Sequence, residues 1–212
     1  MPSTPSTADS WEPFRDAQKG AIAAVLIELV NEQDNAVTIA QIADRAGVSR
    51  PTFYKYFPTL GAAMLFAHRQ VTEEIFRHGM AMQTTAENAD GLTRFLDGMR
   101  TLASFAEARP DLVRFTNYFD YAFRRHGLTE SESRSLLEAE SQLAVITRTS
   151  FENGQRDGSI RRDLDVDQTV EVMGMSMLGL VQRVLVTGSP SGMAVAQQFA
   201  TALDAWRRYL SP

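Results

Sequence analysis

TIAQIADRAGVSRPTFYKYF, Thr38 to Phe57, is the stretch whose reading decides the fold. Thr38 is followed three residues later by Gln41, a capping-box pair that satisfies the orphan N–H groups of a helix start. Ile39, Ile42, Ala43 and Ala46 then recur at helical spacing and make one apolar face. Gly47 closes that helix, because the residue just past a helix end often needs a positive φ. Val48 fills the corner, and Ser49 is placed to cap a second helix. Pro51 falls in its first turn, where a missing N–H costs nothing. Phe53 and Phe57 bury one side of this second helix; Arg50, Thr52, Lys55 and Tyr56 are left facing outward. The spacing predicts a helix-turn-helix.

The run Ile42 to Phe57 resembles the DNA-binding signature of the tetracycline-repressor (TetR) family of transcriptional regulators. The likeness rests on Ile42-Ala43, Ala46-Gly47-Val48-Ser49, Thr52 with an apolar residue and Tyr54 after it, and Phe57. It covers residues 14 to 68 well; beyond them only the general layout is similar. One departure stands out: where the family commonly carries a Lys-Glu pair for a phosphate contact, this chain reads Pro58-Thr59-Leu60-Gly61.

The composition is that of a globular chain with room for a sizeable core: 212 residues, 44% hydrophobic and 22% charged. It has no cysteine, which excludes disulfides and cysteine-based metal sites and fits a reducing cytoplasm. The formal net charge is −5, yet Thr38–Phe57 sets Arg45, Arg50 and Lys55 against Asp44 alone, so the cationic patch coincides with the motif.

Residues 1–10, small, polar and proline-containing, lack the pattern of a secretory signal and read as a disordered tail. A first helix is expected from about Phe14 to Asn31, with Lys19 within possible reach of a phosphate. Thr59 is placed to cap a fourth helix running to near Met80, which carries His68 and His78 as packing or surface residues. Leu92, Phe95, Leu96, Met99, Leu102, Ala103 and Ala106 form the apolar stripe of a fifth, ended by Arg109-Pro110. Asp111 begins the next, with Phe115, Phe119 and Phe123 on its stripe and Tyr118 and Tyr121 away from it; His126-Gly127 closes it. A long helix follows from Thr129, acidic at its start and stopped by Asn153-Gly154. Two more run from Val166 to Val186 and from about Val195 to Leu210. The uncharged run Val172–Val181 is too short to span a bilayer. Their apolar surface is more than one subunit readily buries, which points to a homodimer interface at Gly174, Leu178, Val181, Phe199, Leu203 and Trp206.

No strand pattern survives. The expectation is an all-α chain of about nine helices: a tail at 1–10, a helix-turn-helix domain at 11–58 and a helical ligand-sensing and dimerisation domain at 59–212. The family likeness implies a three-helix head, a dimer built on the last two helices, and a cavity among the middle helices that binds a small effector.

Several other chemistries fail on their spacing. Asp163-Leu164-Asp165-Val166-Asp167 has the alternation of a calcium loop but lacks its glycine and its terminal glutamate, and reads as helix capping. Gly174 and Gly179 have P-loop spacing without the lysine that must follow. The three histidines show no metal spacing, and no GxSxG occurs. No cofactor, metal or catalytic residue is assigned, and an enzyme is the weaker reading.

For DNA, Arg50 has the reach for a bidentate guanine contact and Lys55 for a base or phosphate. The resemblance implies that Pro51, Thr52 and Tyr54 meet a thymine methyl, and that Thr38 and Tyr56 lie at phosphates. The partners expected are therefore a palindromic double-stranded operator, read by a dimer, and a small effector, apolar or aromatic. Phe95, Met99, Phe105, Tyr118, Phe119, Tyr121, Met173 and Met177 offer an adaptable lining for it. The alternative is a module that keeps this fold but binds a protein partner.

Overall fold

The structure, a computed structural model, describes residues 12–33, 36–82, 89–124, 127–188 and 192–212. The expected tail at 1–10 and His126 lie outside them. Among the described residues the secondary structure is helical: α1 (Glu12–Glu32), α2 (Ile39–Arg45), α3 (Arg50–Tyr56), α4 (Leu60–Met82), α5 (Gly91–Ala108), α6 (Pro110–Ala122), α7 (Glu130–Asp157), α8 (Val166–Thr187) and α9 (Val195–Leu210). The all-α expectation holds.

The chain forms two compact units, Met1–Val71 with Phe115–Ser133, and Thr72–Arg114 with Arg134–Pro212. The boundary expected at residues 58/59 falls inside the first of these, because the start of α4 is part of its core: Gly61, Ala63, Met64 and Ala67 are all buried. All three passages of the chain between units lie inside helices, in α4, α6 and α7.

In the first unit, Ile22 and Leu26 of α1, Ile42 of α2, Phe53 of α3 and Met64 of α4 have no exposed surface. Phe119 of α6, equally buried, stacks on His68 of α4 with ring centroids 4.3 Å apart, so His68 is a packing residue as expected.

In the second unit α5 is the central element, packed against α8 and α9, which also pack on each other. Phe95, Leu96 and Ala106 of α5, Phe151 of α7, Met173 and Val181 of α8 and Phe199 of α9 are at most 1% exposed. His78 is again a packing residue, bonded to the Ser104 hydroxyl at 3.0 Å and edge-on to Phe105. At the α5–α6 corner the Arg109 guanidinium takes both Glu74 and Asp111. The hydrogen bond from Arg109 holds the Asp111 carboxyl below its ordinary range, and the guanidinium charge adds to it.

The end of α7 corrects an expectation. Asn153-Gly154 does not stop the helix; it runs on to Asp157, and Gly158, with φ +83°, follows. Gly154 is there for space. A Cβ on Gly91 would lie 2.3 Å from the Gly154 nitrogen, and one on Gly154 would meet the Ile160 side chain at 2.5 Å. This contact brings the start of α5 to where Asp157 accepts from the Gly91 N–H at 2.7 Å and Ser159 from the Leu92 N–H at 2.9 Å. Asp90 caps the Thr93 N–H, so three orphan donors of α5 are satisfied.

A paired substitution checks that packing. Gly91→Ala should destabilise the protein by about 1–3 kcal/mol or more, as overpacking does. Gly98→Ala on the same helix, where an added Cβ meets nothing within 4 Å, should stabilise it by up to about 1 kcal/mol through helix propensity. Urea denaturation of the two variants reads both signs.

Candidate nucleic-acid interface

The head is assembled from local signals that the backbone obeys closely. Thr38, extended at φ −111°, accepts from the Gln41 N–H, while the Gln41 side chain accepts from the Thr38 N–H at 2.9 Å. The capping box is therefore reciprocal. The end of α2 is a Schellman turn: the Val48 N–H donates to the Ala43 carbonyl at 2.9 Å and the Gly47 N–H to that of Asp44 at 3.1 Å. Gly47 at φ +65° is the left-handed residue this turn requires. Ser49 then accepts from the Thr52 N–H, and Pro51 occupies the first turn of α3.

Each of α2 and α3 is only 7 residues long, too short to persist alone, so packing must hold them. Phe53 is fully buried and Phe57 is 3% exposed. Their rings lie 5.8 Å apart, Phe66 of α4 follows 5.4 Å beyond Phe57, and the Lys19 ammonium sits 5.8 Å over the Phe66 ring. Lys19 is thus engaged in packing as well as charge.

This core leaves an outer face on α3. Arg50, Pro51 and Lys55 are exposed, and Tyr54 is 52% exposed, its ring edge-on to Phe53. Thr52 and Tyr56, expected to face outward, are half-buried. The Thr52 hydroxyl lies 2.8 Å from that of Ser49, so the cap engages its polar end. The Thr38 hydroxyl donates to Gln41 at 2.8 Å, leaving lone pairs but no proton for a phosphate. Arg45 pairs with Glu32 at the end of α1, which lowers the net cationic charge of the motif; Arg50 and Lys55 remain on the outer face.

The other candidate residues divide between the units. Phe95, Phe105, Met173 and Met177 are buried and Met99 half-buried in the second unit. Tyr118, Phe119 and Tyr121 belong to the first. Tyr118 accepts the Val37 N–H at 3.3 Å and Phe119 stacks on His68, while Tyr121 is 90% exposed and joins none of them.

Of the residues expected at a dimer interface, Val181, Phe199 and Leu203 are inside the subunit, at most 1% exposed. Their helices pack on α5 and on each other, which consumes that face. Leu178 is 36% exposed, Gly174 and Trp206 are half-buried, and α8 also exposes Val172 and Met175, at 51% and 69%. Spacing had not singled out Val172 and Met175, although both lie in the apolar run of α8.

Asp165 caps α8 at the Gln168 N–H, 2.8 Å away, as expected for the acidic run. No group of three or more His, Asp or Glu among the described residues is arranged to hold a metal. No helix among them is long and apolar enough to cross a membrane.

The site is a capped helix-turn-helix with a basic, aromatic outer face, carried on an otherwise helical chain. Residues 27–59 match the model of the bacterial regulatory proteins of the tetR family. The HTH-type transcriptional regulator EthR of Mycobacterium tuberculosis is 36% identical over 87 residues, which span 41% of this chain and 39% of that regulator. The ketosteroid transcriptional regulator KstR2 of the same species superimposes with a TM-score of 0.64 at 20% identity, over 93% of this chain and 95% of that one. The fatty acid degradation regulator FadR of Bacillus halodurans does so with 0.69 at 14% identity, over 90% and 94%. The tetR-family model thus matches the helix-turn-helix segment, and the fold of the two solved regulators extends over most of this chain.

The turn itself is open to test. Gly47→Ala places a Cβ in a left-handed conformation and should cost roughly 1–2 kcal/mol; Ser49→Ala removes a cap and should cost about 1 kcal/mol. Thermal melting followed by circular dichroism checks both, and an unchanged melting point for either would reject that assignment.

Proposed function

We propose that this chain is a homodimeric DNA-binding transcriptional regulator, a repressor whose two α3 helices read the half-sites of a near-palindromic operator. The observation that carries this is the outer face of α3, which holds Arg50, Pro51, Tyr54 and Lys55 out in solvent on a helix fixed from behind by Phe53. Arg50, at the start of that helix, has the planar fork that guanine O6 and N7 accept. Pro51, the Thr52 methyl and the Tyr54 ring suit a thymine methyl, and Lys55 a base or a phosphate. With its hydroxyl proton and its N–H both on Gln41, Thr38 would serve a phosphate through a bridging water, and Tyr56 through its hydroxyl. Such a regulator works in the cytoplasm, where its operator is.

For dimerisation, the row Val172, Met175 and Leu178 on α8 is apolar surface that the subunit itself leaves exposed. An effector that binds one spacing of the two heads better than another shifts the protein toward it. The second unit supplies aromatic and methionine side chains, Phe95, Met99, Phe105, Met173 and Met177, suited to an apolar or aromatic compound. The net charge of −5 and the lack of the family's lysine at Leu60 favour a second reading, a protein-binding module on the same fold.

Selection of random duplex DNA at near-physiological salt should enrich an inverted repeat, and Arg50→Ala should relax preference at one base pair per half-site, at a cost of about 1–3 kcal/mol. No enrichment by folded, dimeric protein would turn the search to protein partners.

In sedimentation, Met175→Glu should shift the protein from dimer to monomer, because an unpaired carboxylate resists burial. A dimer unaffected by it would move the interface away from the α8 row.

A further inference from the structure

We propose that the residues returning to the head from α6 and α7, within Phe115–Ser133, clamp both ends of the helix-turn-helix, with Tyr118 and Glu132 as positioning residues for DNA binding. This rests on the function proposed above and adds to it what holds the reading helix in place.

The motif is two helices of 7 residues each, whose joint orientation is decided where the chain enters and leaves them. At the entrance, the Val37 N–H donates to the Tyr118 hydroxyl oxygen at 3.3 Å, one residue before the cap of α2. At the exit, two residues beyond Phe57, the Thr59 hydroxyl donates to one Glu132 oxygen at 2.9 Å. Thr59 also accepts the Ala62 N–H at 2.8 Å, so the same hydroxyl starts α4 and ties it to Glu132.

Glu132 is itself held. Its second oxygen accepts from the Thr129 N–H at 2.7 Å and the Thr129 hydroxyl at 2.8 Å, forming the capping box of α7. Partial burial pushes this carboxyl up, but the hydrogen bonds from Thr129 and Thr59 outweigh it and the group stays ionised below its ordinary range.

The exit contact is also shaped. A Cβ on Gly61 would lie 2.5 Å from the Gly127 carbonyl oxygen and 3.2 Å from Glu132, and one on Gly127 would lie 2.5 Å from the Phe123 ring. Gly61 lets backbone meet backbone here, and Gly127 lets its own turn close against Phe123. Between entrance and exit, Phe119 stacks on His68 of α4.

This gives Pro58-Thr59-Leu60-Gly61 a role of its own. Where related regulators commonly place a lysine for phosphate, this chain has a hydroxyl and a glycine fitted to Glu132 and Gly127. The clamp continues into the second unit at both of its ends, through the interiors of α6 and α7.

The test uses the full chain with Tyr118→Phe, Thr59→Val and the conservative Thr59→Ser. Amide exchange by NMR should show Val37 exchanging about three- to ten-fold faster in Y118F, the worth of one net hydrogen bond. On the duplex that the unmodified protein enriches, Y118F and T59V should each weaken binding about three- to ten-fold, with T59S restoring it. The salt slope should stay unchanged, since no phosphate contact is removed.

Unchanged exchange at Val37 would remove the entrance contact and overturn the proposal. Faster exchange with unaltered DNA affinity in both variants would leave a structural bond without a positioning role, and overturn it equally. A lower salt slope would mean that these residues touch phosphate instead. If the unmodified protein enriches no duplex, the DNA reading itself fails and positioning falls with it; exchange at Val37 then separates that failure from absence of the contact.

Discussion

Burial of Phe53 is the constraint on which the reading head depends. A helix of 7 residues does not repay the cost of its own nucleation, so α3 exists because its inner face is held. Phe53 has no exposed surface, Phe57 next to it is nearly as buried, and removal of such a ring costs about 3–5 kcal/mol. With the back of the helix so fixed, Arg50, Pro51, Tyr54 and Lys55 present exposed side chains on the front. That division is what a reading helix needs.

Electrostatics follow the same economy. A chain of net charge −5 does not attract nucleic acid over its whole surface. Within the motif, Arg45 is paired with Glu32, and Arg50 and Lys55 are the two charged residues of α3, both exposed. A field so local concentrates attraction for anions on that one face.

The two compact units are not consecutive segments. Residues beyond 114 rejoin the head before α7 leaves it, and each passage between units is inside a helix rather than a linker.

The helix-turn-helix was legible in the sequence because its signals are local. Thr38 and Gln41, Gly47, Ser49 and Pro51 each act on backbone within a few residues, and each does in the structure what its chemistry dictates. Helical periodicity likewise identified which residues share a face along α5 and α9. It could not say what covers that face. Phe199 and Leu203 lie under helices of their own chain, while Met175, in an equally apolar run, is left outside. Gly154 reads as a helix stop until Gly91, far away in sequence, is found against it. Tyr118 and Phe119 look like lining for a cavity but serve the head, and Tyr121 beside them lies in solvent. Local chemistry determined the elements and the exposed face of α3. Only the tertiary structure decided which apolar surface is spent inside the subunit, since that depends on contacts between residues a hundred positions apart, and short-range patterns carry no information about them.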